Sequence, residues 1–370
     1  MTEMQQTQKA GDNAVQNQIG AQIIVGIDEK RVREICDEKI SFAIQDLSLG
    51  ASDVARQRIG TLTDKVIEKI KKDPTHIQAF SDPSFQRDII RAQIAAAESD
   101  REPDIETLSE LLLARMNGKL KRSTKTGLRK AIEIVPELEE NELTALTAMF
   151  FYCRCHITNM YAATAEMHLA ALDSNFSAIL SASNLPIGSK WIQHLGILDC
   201  VEVNHIGSFK KMEEYYAEDV NGLICAGIAK DSVEYLDAVE VLKECGFNSN
   251  ILLLNELLSG YVRLPVAKLD DLSTLPMIIP NVPRIFEMTT NEKQKEGLAK
   301  VINLYSKDSA LLKKVKFAFA EKITGHSTLN QFKTWLSSLK PSFELTPIGE
   351  ALAYVNARRC IPGLPVIELE

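Results

Sequence analysis

Residues Phe80–Ala96, FSDPSFQRDIIRAQIAA, have the pattern of a capped amphipathic helix. Ser81 or Asp82 can cap its N-terminus, Pro83 suits the first turn, and Phe80 can pack back onto the following turn. The apolar residues that recur at spacings of three and four are Phe85, Ile89, Ala92 and Ala96. The local sequence therefore predicts a helix with one buried face.

The same helical periodicity continues on both sides of this stretch. Towards the N-terminus, Asp28 is expected to cap a helix that buries Val32 and Ile35. Towards the C-terminus, the pattern predicts helices at 104–117, 124–135, 141–156, 160–182, 291–305, 308–322 and 327–339. The chain is therefore expected to be mainly α, with an all-helical layer up to about residue 182.

The residues between the two helical regions change in character. Ile197–Val203 alternates between apolar and polar side chains and predicts a strand. Four of the thirteen prolines fall within 260–286, and they predict an extended, linker-like stretch rather than a domain core.

The C-terminal region ends in a helix, a strand and a further helix. The helix at 327–339 precedes the short strand Phe343–Leu345, and Thr346 is expected to cap a helix with Pro347 at its first position. This order is typical of a winged-helix-like part. A DNA-reading helix would expose Arg, Asn or Gln, so protein contact is favoured, because the polar residues on offer are only Gln331, Lys333 and Lys340.

Residues Gly11–Gly26, GDNAVQNQIGAQIIVG, follow a strand-like period instead. The residues of one parity are Val15, Ile19, Ile23 and Val25, and those of the other are Gln16, Gln18 and Gln22. A strand without a partner nearby in sequence tends to pair with another chain, and amide ladders favour stacking of identical copies. We predict that the four apolar residues pack against their own copies; the alternative is a flexible tail or an edge strand on the chain's own body.

These patterns predict four segments and one fold class. The segments are an N-terminal tail with an assembly strand, a helical domain, a mixed α/β segment with a Pro-rich connection and a C-terminal helical, winged-helix-like domain, at 1–26, 27–183, 184–290 and 291–370. The expected fold is mainly α, with an N-terminal oligomerisation strand, a helical body and a C-terminal α+β winged-helix-like part.

The composition narrows the class of protein. Hydrophobic residues make up 45% and charged residues 25% of the 370-residue chain, as is usual for a soluble globular protein. Its net charge of −8 means that any nucleic-acid contact must be local. Residues 1–20 lack the apolar region of a secretory signal, and the seven scattered cysteines fit a reducing cytoplasm. The most apolar region, Ala145–Leu172, is interrupted by charged residues, so no membrane insertion is expected.

Candidate chemistry centres on Cys153-Arg154-Cys155-His156. Residues two apart on a helix point about 200° apart, so the two thiols cannot share one ion, and a zinc site needs further ligands. Buried helix thiols are the favoured interpretation. The chain has no GxSxG elbow, no Walker loop and no GxGxxG after a strand. We predict no metal, no cofactor and no catalytic residue, and therefore no enzyme.

A basic run lies between Gly118 and Ile132 in this acidic chain. Its members are Lys119, Lys121, Arg122, Lys125, Arg129 and Lys130. Ser123, Thr124 and Thr126 lie among them and could donate to phosphate oxygens, but no aromatic residue is interleaved for base stacking. The run is either an anion or nucleic-acid contact or a solvated connection or intersubunit salt-bridge surface.

Three stretches together resemble a widespread bacterial family of unknown function. They are the opening GDN…QIG…GIDEK within 11–30, the helix start FSDPSFQ at 80–86 and the close LTPIG at 345–349. The resemblance spans nearly the whole chain and carries no catalytic residues. The sporadic occurrence of the family implies an accessory role, with anti-phage defence as the favoured setting.

The expected function is therefore a non-enzymatic, cytoplasmic, homo-oligomeric scaffold or sensor that also contacts another protein. The alternative is a nucleic-acid-binding regulator that uses the 119–130 run or the C-terminal winged-helix-like unit.

Overall fold

The computed structural model describes residues 29–45, 48–116, 120–155, 163–278 and 285–364. The predicted assembly residues Val15, Ile19, Ile23 and Val25, and Lys119 of the basic run, lie outside these ranges. Within them the mainly α fold with a small C-terminal α+β region is confirmed.

The chain divides into two compact units between Leu138 and Glu139. This division differs from the expected boundaries at 183/184 and 290/291. Helices from 140–180 belong with the C-terminal helices because Asn356 donates to the Thr147 hydroxyl at 2.8 Å and Asp173 accepts from the backbone N–H of Leu329 at 3.0 Å. These partners are more than a hundred residues apart, so sequence order does not reveal them.

The N-terminal unit is built from helices. Its α-helices are α1 (Glu29–Ala43), α2 (Leu49–Lys72), α3 (Pro83–Glu98), α4 (Glu102–Arg115) and α5 (Arg122–Ile134), and its 3-10 turns are Pro74–Ser81 and Val135–Glu137.

Helix α3 is the centre of this unit and packs against the other four. Asp82 caps it by accepting from the Ser84 N–H at 2.9 Å, and the Phe80 and Phe85 rings meet edge to face with centroids 5.2 Å apart. The buried Gln93 side chain donates to the Cys36 carbonyl of α1 at 3.0 Å. The FSDPSFQ motif is thus a helix start whose polar and aromatic groups are used in folding.

The C-terminal unit holds the remaining elements. Its α-helices are α6 (Glu140–Arg154), α7 (Ala165–Leu180), α8 (Lys190–Ile197), α9 (Met212–Asp219), α10 (Val233–Glu244), α11 (Glu292–Asn303), α12 (Ser309–Gly325), α13 (Ser327–Ser338) and α14 (Pro347–Cys360). Its strands are β1 (Val201–Asn204), β2 (Ile228–Ala229), β3 (Leu253–Leu254), β4 (Tyr261–Arg263), β5 (Thr274–Ile278), β6 (Ile285–Thr289) and β7 (Ser342–Leu345), and a 3-10 turn spans Ser249–Ile251.

The predicted C-terminal strand pairs with a distant one. β7 lies antiparallel to β1, with Val203 opposite Phe343. Thr346 then caps α14 by accepting from the Ile348 and Gly349 N–H groups, and its own N–H donates to the Cys200 carbonyl at 3.1 Å. The LTPIG motif therefore seats α14 against the turn between α8 and β1.

The expected linker at 260–286 is wrong for its first part. β4 is the central strand of the sheet β2-β4-β3, and Val262, Leu264 and Val266 are buried in the core formed with α10 and α11. Further on, β5 and β6 form an antiparallel pair. Pro265 lies two residues after β4, and Pro276 lies within β5. A high proline content is therefore compatible with packed strands in this segment.

Substitution of Gly349 by alanine is expected to destabilise the C-terminal unit by about 1–3 kcal/mol. A Cβ at this position would lie 2.1 Å from the Cys200 carbonyl oxygen, which is backbone and can move only with β1. Chemical denaturation followed by tryptophan fluorescence measures the loss, since both tryptophans, Trp191 and Trp335, lie in this unit. The control is Gly325→Ala, where a Cβ meets nothing within 4 Å; equal stability of the two variants would contradict the close approach.

In the ranges that the structure covers, none of the helices is both long and apolar enough to cross a membrane.

Candidate interaction surfaces

The two sequence-predicted thiols differ in burial. Cys155, which follows the last residue of α6, is buried as expected, whereas Cys153 within α6 is exposed. Over the described ranges, no three His, Cys, Asp or Glu side chains are grouped as metal ligands would be.

The basic run is divided by α5. Lys121, Arg122 and Lys130 are exposed, while Lys125 and Arg129 are half-buried. The Ser84 backbone N–H, and after it the charges of Arg115 and Lys125, lower the pKa of Asp82. Arg129 acts in the same direction on Asp88. Two of the five described members, Lys125 and Arg129, therefore lie near carboxylates of their own unit, which neither a nucleic-acid contact nor an intersubunit salt-bridge surface requires.

A buried ion pair joins α4 to α3. Arg115 Nε lies 2.8 Å from Asp88 Oδ2, and both side chains are almost fully buried. Arg115 also donates to the Ser84 hydroxyl at 2.8 Å, and Arg91 reaches Asp88 Oδ1 at 3.0 Å. Burial raises the pKa of Asp88 against the lowering by Arg115 and Arg91. The helical pattern does not predict this pair. An arginine is ordinarily expected at the surface, but Arg115 lies on the apolar, buried face of α4.

A histidine–carboxylate pair lies at the start of α6. His194 Nδ1 is 2.9 Å from both carboxylate oxygens of the buried Glu142, which also accepts from the Glu139 N–H at 3.1 Å. Cys200 lies close by, but it is fully buried, and burial, followed by the charges of Glu142 and Asp199, raises the pKa of its thiol to about 12. The pair can hold α8 to α6, and the adjacent thiol stays protonated. Local sequence pattern does not reveal this pair, because Glu142 and His194 lie 52 residues apart in the chain.

Among the described residues of the C-terminal unit, three fully buried polar side chains lack hydrogen bonds at one or more atoms. His168 has no partner at either ring nitrogen, Tyr216 has none at its hydroxyl, and Arg263 has none at Nε. Burial lowers the pKa of His168 to about 4, with Asp219 acting in the opposite direction. Arg263 donates through its other nitrogens to the carbonyls of Leu264 and Ala163, at 2.9 and 3.1 Å. These groups are closed off from solvent and contribute to packing.

The N-terminal unit leaves large apolar side chains in water around the turn between α1 and α2. Phe42 is 61%, Leu49 90% and Val54 49% exposed. On the inner side of the same helices, Ile44, Ala55 and Ile59 form a small core. The outward-facing side chains therefore contribute little to the packing of this unit.

The C-terminal unit has two helices with exposed apolar residues among charges. On α10, Val233 is 69% and Leu236 66% exposed; four exposed acids lie beside them, Glu234, Asp237, Glu240 and Glu244, against one exposed base, Lys243. On α12, Phe317 is 67% exposed; three exposed bases lie beside it, Lys313, Lys314 and Lys316, against one exposed acid, Glu321, a turn further on. We call these the α10 face and the α12 face.

The helix over α12 is predicted at 308–322, but neither face is predicted from the sequence. The signal was available: Val233 and Phe317 lie out of phase with the buried residues of their own helices, which are Ala238 and Leu242 on α10 and Val315, Phe319 and Ile323 on α12.

A protein-family model matches residues 26–369, from just before α1 to the last residue but one. Searches among curated proteins and among solved structures give no match.

Proposed function

We propose that this chain, which belongs to the family whose model spans residues 26–369, is a non-enzymatic cytoplasmic scaffold or sensor that assembles from identical copies. The observation that carries the proposal is the exposure of Phe42, Leu49 and Val54 around the turn between α1 and α2. Large apolar side chains that are exposed close together in the chain are candidates for an interaction site.

The free energy of hydration argues for a covered surface. Removing a large aliphatic or aromatic side chain from water contributes about 1.5–3 kcal/mol when burial is complete. Leu49 is 90% exposed and gains little of this within its own unit. Helix α1 also follows directly on the stretch whose alternating pattern predicts an assembly strand, so both features favour self-association of the N-terminal region.

The setting is also part of the proposal. Accessory action in anti-phage defence, with another protein as a further partner, is supported by the resemblance of the GDN…QIG, FSDPSFQ and LTPIG stretches to a sporadically distributed bacterial family. The two motifs within the described ranges cap helices, and neither presents a side chain for chemistry.

Nucleic-acid binding is the weaker candidate. Its support is the exposed set Lys121, Arg122 and Lys130 on α5. Lys125 and Arg129 face the carboxylates of Asp82 and Asp88 instead, which reduces the charge available to phosphates.

Light scattering on the purified chain tests the proposal. The expected mass is a multiple of 41.1 kDa, and it falls on deletion of residues 1–26 and in a Phe42→Ser, Leu49→Ser double variant. Ile187→Ser is the matched control, because Ile187 is equally exposed but lies in the C-terminal unit. A monomeric full-length chain, or an oligomer that neither change affects, would refute self-association through this region.

A further inference from the structure

The α10 face combines an apolar centre with an acidic border. Val233, Asp237, Glu240 and Glu244 lie at spacings of three and four and follow one line along the helix, with Leu236 beside them. The opposite side of the helix buries Ala238 and Leu242 in the core, so the helix orientation is determined. This face therefore points to solvent in the folded unit.

The α12 face has the same layout with the opposite charge. Lys313, Lys316 and Phe317 share one side of the helix, and Lys314 borders it. Val315, Phe319 and Ile323 are buried on the other side. Phe317 thus stands in water among lysine side chains.

Charged residues of both faces form no ion pair with any described residue. These residues are the lysines Lys313, Lys314 and Lys316 and the acids Asp237, Glu240 and Glu244. Because both faces are exposed, they do not cover each other within one chain. The apolar residues and the charges of each face lack partners that the other face would supply.

We infer that the α12 face of one copy packs against the α10 face of a second copy. Phe317 would meet Val233 and Leu236, and the surrounding lysines would meet the carboxylates of α10. Apolar contact supplies the attraction, and opposite charges select the orientation and reject α10–α10 and α12–α12 pairs. This inference rests on the proposed self-assembly and names a second, separate contact for it.

A contact between two different faces has a consequence for the size of the assembly. Two copies can satisfy both contacts reciprocally in a two-fold dimer. Otherwise each copy that uses its α12 face still offers its α10 face, and the contact continues until it closes into a larger ring or forms a filament. Helix α10 has 12 residues, about 18 Å of helix, so the contact area is small. It is therefore expected to be weak by itself and to act on copies already joined through their N-terminal regions.

An anionic nucleic acid is the rival occupant of the α12 face. Lysines and one aromatic ring could contact phosphates and a base. The second-copy interpretation is favoured because the same unit carries a matching face of opposite charge, and because the chain is acidic overall. If nucleic acid occupied the α12 face, substitutions on α10 would not be expected to affect binding.

Charge exchange separates these cases. One variant carries Lys313→Glu and Lys316→Glu, a second carries Asp237→Lys and Glu240→Lys, and a third carries all four changes. Sedimentation velocity over a concentration series is expected to show that the first two associate at least about tenfold more weakly than the unchanged chain. The third should recover most of this loss, since each charge again meets its opposite. Phe317→Ser should weaken association at every salt concentration, whereas the lysine contribution should fade as salt is raised.

The control for the first variant carries Lys300→Glu and Lys307→Glu. It makes the same net charge change on exposed lysines outside the α12 face and should leave association unchanged. If the full-length chain self-associates but the charge variants behave as the unchanged chain does, this inference fails and the proposed function stands. A monomeric full-length chain removes both. Loss in the first variant without recovery in the third, together with lysine-dependent binding of a labelled single-stranded oligonucleotide, would overturn the second-copy contact in favour of nucleic acid.

Discussion

Replacing Arg115 by methionine is expected to destabilise the N-terminal unit by about 3–5 kcal/mol. The substitution preserves much of the side-chain volume but leaves the Asp88 carboxylate buried, with Arg91 as its remaining close cation and no bond to the Ser84 hydroxyl from α4. A buried carboxylate that has lost its most buried cation partner costs more than the pair contributes. Urea denaturation followed by far-UV circular dichroism measures the effect, since the tryptophans report only on the other unit.

The double variant Arg115→Met, Asp88→Leu distinguishes a lost pair from lost packing. Removing both charges takes away the Asp88 carboxylate that lacks its Arg115 partner in the single variant. We therefore expect the double variant to be more stable than Arg115→Met alone. Additive losses from the two single substitutions would show that the pair is not coupled and would contradict this account.

Acidification is expected to cost the C-terminal unit about 3 kcal/mol through His168 alone. Burial lowers the pKa of this imidazole from its usual 6.5 to about 4, while Asp219 opposes the shift. Between these two pH values the unfolded chain binds a proton that the folded chain does not. The contribution of His168 to stability is therefore complete above pH 6.5 and is lost progressively as the pH falls towards 4.

The difference between the unchanged chain and His168→Leu isolates this effect from the other carboxylates that titrate in the same range. Tryptophan fluorescence at a series of pH values gives the unfolding free energy of the unit for both proteins. The unchanged chain should lose stability more steeply than the variant between pH 6.5 and 4. Parallel curves would mean that His168 titrates with a near-normal pKa in the folded chain, and would contradict this prediction.

Two of the three family-like stretches turn out to be helix starts with long-range partners. Asp82 caps α3 and lies 3.9 Å from Arg115, and Thr346 caps α14 while bonding to the backbone before β1. A motif can therefore mark a folding requirement rather than a reaction. This is consistent with a function that depends on surfaces, and the third stretch lies outside the described residues.

The sequence by itself determined the helices and their starts. Asp82 with Pro83, and Thr346 with Pro347, cap the helices that their local pattern predicts. The predicted ends of α4 to α6 and α11 to α13 agree with those observed within three residues, whereas α7 begins at Ala165 and not at 160. The reason is physical: capping bonds and the 3.6-residue period connect residues within four positions, so local sequence contains both partners.

Only the tertiary structure decided which helices and strands meet. β1 pairs with β7 across more than 130 residues, Glu142 meets His194, and Lys125 and Arg129 turn towards acids of α3. Residues 260–266 became core because a central strand gains its burial from neighbours distant in sequence. Such partners are brought together by packing of whole elements, and a pattern with a range of four residues carries no information about them. The α10 and α12 faces were also decided by the tertiary structure. An apolar residue can be identified as exposed only when the buried side of its helix is known.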